Sequence, residues 1–439
     1  MFKPLFRICC AGALSSVIAF GPAVAADNDA ETIKVGVMHS LSGTMAISES
    51  TLSQTVQMLI DEQNQKGGLL GKKLEAVVVD PASDWPVFAE KTRQLLAQDK
   101  VAVIFGCWTS VSRKAVLPVV EELDGLLFYP VQYEGEESSR NIIYTGAAPN
   151  QQAIPAVDYL LNDLGVERFV LAGTDYVFPR TANKIIEAYL KAHGVAADDI
   201  MINYTPFGHS DWQSIVSQIK DFGSTGKKTA VISTLNGDAN VPFYRELANQ
   251  NVQATDIPVM AFSVGEEELS GIDTAPLVGH MAAWNYFESI ETPENTDFIQ
   301  KWHEYTKNPD RVTNDPMEAT YIGFNLWVKA VEKAQSTDVD DVLKNIVGVE
   351  TPNLTGGTAK VLPNHHITKP VYIGEIQDDG QFQVVWESDA EVAGDAWSDY
   401  LPGSADLEAD WTDPINCGNY NTKTKKCLGA AAAESAVAQ

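Results

Sequence analysis

The feature that most constrains this chain is a rhythm of apolar runs and amphipathic stretches that is played twice. TIKVGVM (32–38), KLEAVVVD (73–80), VAVIFG (101–106) and GLLFYP (125–130) read as strands. Between them LSQTVQMLIDEQNQ (52–65), PVFAEKTRQLLAQD (86–99) and SRKAVLPVVEEL (112–123) carry apolar residues at helical spacing, and Gly67-Gly68 stops the first of these helices. The pattern restarts after GAAPNQQ (146–152). AIPAVDYLLNDL, RFVLAG, RTANKIIEAYLKAHG, DIMINYTPF, DWQSIVSQIKDFG, TAVIST, VPFYRELANQN and IPVMAF then alternate helix and strand. Strands alternating with helices predict parallel sheets, and two such runs predict two doubly wound α/β lobes with a cleft between them.

Beyond the second run, GHMAAWNY (279–286) leads into helices at ENTDFIQKWHEYT and PMEATYIGFNLWVKAVEKA. Shorter strands follow at TAKVLP, PVYIGEI and FQVVWES, with a hairpin turn at Asp378–Gly380. The expected division is a leader at 1–25, one lobe from 32–148 plus 284–352, a second from 149–283 plus 353–395, and an extended tail at 396–439. A chain of 439 residues suits two cores better than one, since single cores stop growing near about 250–300 residues.

The charge balance excludes one class of partner. With 31 Lys+Arg against 59 Asp+Glu, the formal charge is −28, and a nucleic-acid partner needs clustered cations. At the N-terminus, Lys3 and Arg7 precede the apolar ICCAGALSSVIAFG, and AVA at 23–25 offers a cleavage site near Ala25 or Ala26. Export to the periplasm is expected. Cys9 and Cys10 begin that apolar stretch rather than following it, which argues against a lipid anchor. In an oxidising compartment Cys417 and Cys427 are expected to pair, leaving Cys107 as a reduced, buried strand-end thiol.

Ligands of doubly wound sheets sit outside the carboxyl ends of the strands. The residues there are His39, Ser40, Ser42, Gly43 and Thr44, then Trp108, Thr109 and Ser110, then Tyr129, Val131, Gln132 and Tyr133. The second half contributes Asp175, Tyr176, Phe178 and Arg180, LNGDAN (235–240) with Asn236 and Asp238, and FSVGEEE (262–268) with Ser263 and Glu266. Aromatic walls with hydroxyls and amides suit a small, neutral, polar molecule. Plainer roles compete: Ser110 as a helix cap, Tyr129 in a core, Glu266–Glu268 as a solvated helix start, and Asp315 as a cap. Signs of catalysis are scarce. No GxSxG or GxGxxG follows a strand, and GSTGKKT (223–229) has Asp221 where a phosphate loop needs glycine. His365 and His366 are adjacent and face opposite ways on a strand, and no Cys/His metal cluster occurs. Neither enzyme activity, cofactor nor metal is expected.

VGVMHSLSGTMAISE, DPASDWPVFAEKTRQLL, IFGCWTSVSRKAVLPVVEE, YPVQYEG, YTGAAPNQQ, GTDYVFPRTAN, LNGDAN, HMAAWNYF, RVTNDPMEA and PNHHITK together resemble the urea-binding component of bacterial ABC-type urea transporters. The resemblance spans about 32 to 413. It implies a type I periplasmic binding protein, related to branched-chain amino-acid and short-chain amide binders. Three hinge crossings are implied near 147–150, 282–285 and 350–360. Ligand contacts are implied at Trp108, Ser110, Tyr129 and Tyr176. Trp108 and Val131 stand where the amide sensors have tyrosine and threonine, and these changes associate the sequence with urea rather than acetamide. On this reading Ser110 and the helix amides hold the urea oxygen. Gln132, Asn236, Asp238 or Glu266 accept from its NH2 groups, and Trp108, Tyr129 and Tyr176 exclude water. The implied partners are urea or a small amide and the permease subunits of a transporter. The alternatives are a formamide or acetamide receptor, an amide-sensing regulator, and, remotely, an amide hydrolase.

Overall fold

The computed structural model describes Met1, residues 32–402, and the short stretches 420–421 and 426–427. The expected leader beyond Met1, and Cys417 of the expected Cys417–Cys427 pair, lie outside the described residues. Among those residues no helix is long and apolar enough to cross a membrane.

The chain from residue 32 onward builds two sheets in succession. The first takes β1 (Ile33–Met38), α1 (Ala46–Gln65), β2 (Leu74–Val79), α2 (Trp85–Arg93), β3 (Val103–Gly106), α3 (Ser110–Glu122), β4 (Leu127–Tyr129) and β5 (Ile142–Tyr144). Its strands lie in the order β2-β1-β3-β4-β5, all parallel. The second takes α4 (Ala153–Asp158), β6 (Arg168–Thr174), α5 (Val177–Ala192), β7 (Ile200–Thr205), α6 (Gln213–Gly223), β8 (Thr229–Thr234), α7 (Asn240–Asn249), β9 (Val259–Ala261), α8 (Glu266–Leu269) and β10 (Met281–Trp284). The chain then returns to the first lobe with α9 (Pro293–Thr306), α10 (Asp315–Ala334), α11 (Val339–Ile346), β11 (Glu350–Pro352) and β12 (Thr358–Lys360). It finishes with β13 (Thr368–Lys369), β14 (Tyr372–Ile376), β15 (Phe382–Glu387) and β16 (Val392–Ala393). The second sheet runs β7-β6-β8-β9-β10 and is completed by the antiparallel β14 and β15. Both parallel portions share one winding order, with a switch point between the first strand and the third.

Period-two alternation decides what each face buries. Val35 and Val37 of β1 enter the core shared with α1, α10 and α11, while Met38 enters the core shared with α2 and α3. In β6, Val170 and Ala172 face α6 and α7, and Phe169 and Leu171 face α4 and α5. A buried parallel strand must be apolar on both sides, which is why these strands read as unbroken apolar runs. Helix starts are equally local. Asp84 caps α2 by accepting from the Val87 N–H at 3.3 Å, and Asn314 caps α10 by accepting from Met317 at 3.2 Å, each with a proline in the first turn.

Three differences from the sequence reading stand out. The strand β5 and the helix α11 were not foreseen: β5 is three residues long, too short to show a period, and α11 follows α10 after only four residues. The helices over 86–99 and 153–164 keep their extents but loosen into π turns at Gln94–Asp99 and Tyr159–Asp163. Ala359, Val361 and Ile367 pack into the first lobe's core. The third crossing therefore runs through 368–371, later in the chain than the 350–360 stretch.

Trp327 of α10 is fully buried and meets Phe105 of β3 edge-on, with ring centroids 6.2 Å apart. Replacing it with alanine is expected to lower stability by about 3–5 kcal/mol. The check is guanidinium unfolding followed by circular dichroism.

Candidate functional site

The first wall of the cleft is built at the end of β3. Gly106 lies so close to β1 that a Cβ there would sit 2.5 Å from the Met38 carbonyl oxygen, so only glycine fits. Cys107 follows with φ +67, a left-handed conformation that a non-glycine residue adopts at a cost. Its thiol is free and buried, and burial pushes its pKa up, so it is no ready thiolate. Thr109, not Ser110, caps α3: its Oγ1 accepts from the Ser112 N–H at 3.2 Å. Ser110 is thereby released from capping. Its hydroxyl donates instead to Glu134 Oε2 in a short bond and accepts from Arg113 Nη1 at 3.1 Å.

Glu134 belongs to the loop after β4 and opens a fully buried set of four charges. Arg113 pairs with Glu134 at 3.0 Å and with Glu137 at 2.7 Å, and Lys114 reaches Glu137 at 2.9 Å. Two cations face two carboxylates, so the set is neutral. Burial opposes ionisation of Glu137, but the Arg113 and Lys114 cations outweigh it and hold its pKa down at about 2. The Arg113 guanidinium also lies 4.7 Å from the Tyr129 ring centre and 4.6 Å from that of Tyr133. Tyr129 in turn donates to the Trp108 carbonyl at 2.5 Å. Trp108, Ser110, Tyr129 and Glu134 are thus one braced assembly.

The second lobe closes on it. Gln132 donates from Nε2 to the Phe262 carbonyl at 2.7 Å and to Ser263 Oγ at 2.5 Å, across the cleft. Ser48 of α1 donates to Glu268 of α8 at 2.6 Å, and the Asp238 N–H donates to the Thr44 carbonyl at 3.3 Å. Tyr176 is buried, and its ring packs 4.8 Å from Phe207, which lies 5.3 Å from Trp85 of the first lobe. Burial raises the Tyr176 hydroxyl pKa, and Tyr129 and Glu134 act on it from the facing wall. Among the described residues, the buried polar atoms in or beside this cleft that have no hydrogen-bond partner include Trp108 Nε1, Gln132 Oε1, Glu49 Oε1, both His39 ring nitrogens and Glu266 Oε2. Unpartnered buried polar atoms are costly, so those facing the cleft are candidate contacts for a ligand or a water.

The residues singled out from the sequence therefore divide. Trp108, Thr109, Ser110, Tyr129, Val131 and Gln132 form one buried wall, and Ser263 and Tyr176 meet it from the other lobe. Phe178 lies not in a loop but in the first turn of α5, inside the apolar core with Ile186 and Leu190. Asn236 braces the end of β8, donating from Nδ2 to the Thr234 carbonyl at 3.1 Å, and the Asp238 side chain is exposed. Glu266 and Glu268 are buried rather than solvated; Glu266 Oε1 accepts from the Glu288 N–H at 2.8 Å. Asp315 does not cap α10, because Asn314 does; it accepts from the Asn285 N–H at 2.9 Å. Reading the sequence missed Arg113, Glu134 and Glu137. The available signal was RK one turn beyond Ser110 and EGEE directly after Tyr133, opposite charges at two adjacent strand ends. Among the described residues no group of three side chains is placed to hold a metal ion.

The profile of the periplasmic binding protein domain matches residues 33–403. This chain belongs to that family. A Leu/Ile/Val-binding protein homolog 8 from Brucella abortus is 22% identical over 389 residues, covering 82% of this chain and 92% of its own. A protein from Geobacillus stearothermophilus named limonene hydroxylase is 31% identical over 134 residues, 30% of this chain. The match spans only 24% of that protein's own length. Among solved structures, a solute-binding protein of an ABC transporter from Rhodopseudomonas palustris HaA2, in complex with p-hydroxybenzoic acid, superposes with TM-score 0.73. That pair shares 22% identity and covers 82% of this chain and 98% of the other. The type I periplasmic binding fold follows from these matches.

This binding protein also carries a buried acid and base side by side. His39 Nδ1 lies 3.8 Å from Glu49 Oε2, and the Ser40 N–H donates to the same oxygen at 2.6 Å. Burial lowers the His39 pKa to about 3 and raises that of Glu49 to about 8, so both are neutral at pH 7. A carboxyl with a raised folded pKa favours folding most at low pH. Its contribution is lost as pH rises from about 4.5 to about 8. Glu49→Gln is expected to flatten that fall and to be more stable than wild type at pH 9, by several kcal/mol at most. Guanidinium midpoints at pH 5 and pH 9 for both proteins provide the check.

Proposed function

We propose that this chain is an extracytoplasmic receptor that captures urea between its lobes and delivers it to the permease subunits of an ABC transporter. The observation that carries the reading is the chemistry left over in the closed cleft. The four charges behind Ser110 are paired with one another, burial raises the pKa of the Glu49 and Glu266 carboxyls, and the polar atoms without partners include one N–H donor, on Trp108, and one amide acceptor, on Gln132. Urea has one carbonyl oxygen to accept and four N–H groups to donate, in a flat uncharged molecule. The Trp108 indole N–H suits the oxygen. Gln132 Oε1 suits an N–H, and Tyr129 and Tyr176 supply apolar faces that keep water out.

The geometry changes one role drawn from the sequence. Ser110 has its proton committed to Glu134, so it accepts from the solute rather than holding its oxygen. The same pairing weighs against the ligand classes named for the relatives. An aromatic carboxylate brings one charge into the cleft and an amino acid two, and the buried cations of this wall, Arg113 and Lys114, are already engaged by Glu134 and Glu137. A short-chain amide receptor is the second reading, because formamide and acetamide present the same carbonyl and one NH2. The expected location is the periplasm, in keeping with the family and with the leader-like residues 1–25.

Calorimetric titration with urea, formamide, acetamide, leucine and p-hydroxybenzoate separates these readings. Urea is expected to bind in the micromolar to millimolar range and to outcompete the others. No heat with urea at millimolar concentration would sink the proposal, and tighter acetamide binding would favour the second reading. Trp108→Ala and Gln132→Ala are each expected to weaken urea binding by about tenfold or more with the fold retained by circular dichroism.

A further inference from the structure

The three crossings between the lobes meet at one side chain. Asn285 is the first residue past β10 and is fully buried. Its Nδ2 donates to the Gln151 carbonyl of the first crossing at 2.9 Å and to the Pro370 carbonyl of the third at 2.6 Å. Its backbone N–H donates to Asp315 Oδ2 at 2.9 Å, tying the second crossing to the start of α10 in the first lobe. Lys369 reinforces the junction: its Nζ lies 3.7 Å from Asp315 and 3.3 Å from Glu318, and donates to the Thr145 carbonyl at 3.3 Å. Gln151 completes it, donating from Nε2 to the Ile367 carbonyl at 2.9 Å and the Val392 carbonyl at 2.8 Å.

Such a junction is sensitive to relative motion. Gln151 lies in a short turn of the first crossing and Pro370 between β13 and β14 in the third, so any relative movement of the two crossings changes the distance between these carbonyls. One amide group has two N–H bonds in fixed directions, so it satisfies both carbonyls in one relative placement only. Asn285 Oδ1 has no partner, which leaves those two bonds to set the side chain's orientation. A shift of about 1 Å carries a hydrogen bond out of its working range, leaving a buried carbonyl unpaired, and such a loss is among the more expensive local changes.

We infer that Asn285 is a positioning residue that latches the three crossings in the closed arrangement and thereby sets how fast the bound solute leaves. The inference rests on the reading of the cleft as a solute site, but the latch itself is a property of the protein alone. Loss of the side-chain amide frees two crossings at once and favours opening, which acts on dissociation more than on encounter.

Stopped-flow tryptophan fluorescence with urea, and small-angle scattering without it, test the latch in wild type and Asn285→Ala. The expected results are dissociation faster by about tenfold or more, association changed by less than about twofold, and a larger radius of gyration for the unliganded variant. A variant with a lower melting temperature but unchanged dissociation rate and unchanged radius overturns the latch and leaves Asn285 a structural residue. If the variant does not fold, hydrogen exchange on the wild-type chain decides: the Asn285 amide must exchange more slowly when urea is added, and an unchanged rate overturns the proposal. If wild type binds no urea, the functional reading fails by itself. The scattering comparison then still decides the latch, supporting it if the variant's radius is larger and overturning it if it is equal or smaller.

Discussion

The buried pairing of Arg113 and Lys114 with Glu134 and Glu137 is the constraint on which the binding wall depends. Four charges at zero exposure stand in the protein interior, where an unpaired ion is strongly destabilising. Each ion is therefore held where its partners are, and the helix α3 and the loop after β4 are fixed to one another. Ser110 takes its hydrogen-bond direction from Glu134, and Tyr129 and Tyr133 take their ring positions from the Arg113 guanidinium. Tyr144 donates to Glu137 at 2.8 Å, and His366 stacks on Tyr144 with ring centres 4.5 Å apart. The same charge set thus supports the binding wall on one side and the aromatic packing under the crossings on the other.

Neutrality by internal pairing has a chemical consequence. Arg113, Lys114, Glu134 and Glu137 cancel one another's charge, and the dipoles left on that wall still discriminate. Solved structures of the same fold are complexes with p-hydroxybenzoic acid and with isoleucine, so the scaffold does not choose the solute. On the proposed reading, the Trp108 indole and the Gln132 amide, each following a strand, do the choosing. Cleft and hinge are also built differently. The cleft wall is braced by four paired charges, whereas the hinge is tied by a few side-chain amides and one lysine that bond backbone carbonyls.

Much of the fold was legible because buried parallel strands have to be apolar on both faces and their helices on one. The extents of β1, β6 and β8 follow from that rule alone, as does the restart after 152. Elements too short to display a period escaped it, β5 among them. The candidate wall was half legible: Trp108, Tyr129 and Gln132 announce themselves by following strands directly. Glu134 did not, since a carboxylate in a loop looks solvated until a buried arginine is found beside it. Glu266 and Glu268 misled for the same reason, because three successive glutamates at a helix start read as a surface feature, and their burial depends on a helix from the other end of the chain.

The sequence by itself determined two doubly wound lobes, the strand-end positions that make up the candidate site, and a chain poor in catalytic groups. These are consequences of periodicity and residue chemistry, which act over a few neighbours. Only the tertiary structure decided which charges cancel, which hydroxyl is already committed, and which residue joins the crossings. Those outcomes depend on groups far apart in the chain, Ser48 with Glu268 and Asn285 with Gln151 and Pro370. Their partnership is set by how two sheets are brought together, and no local pattern encodes it.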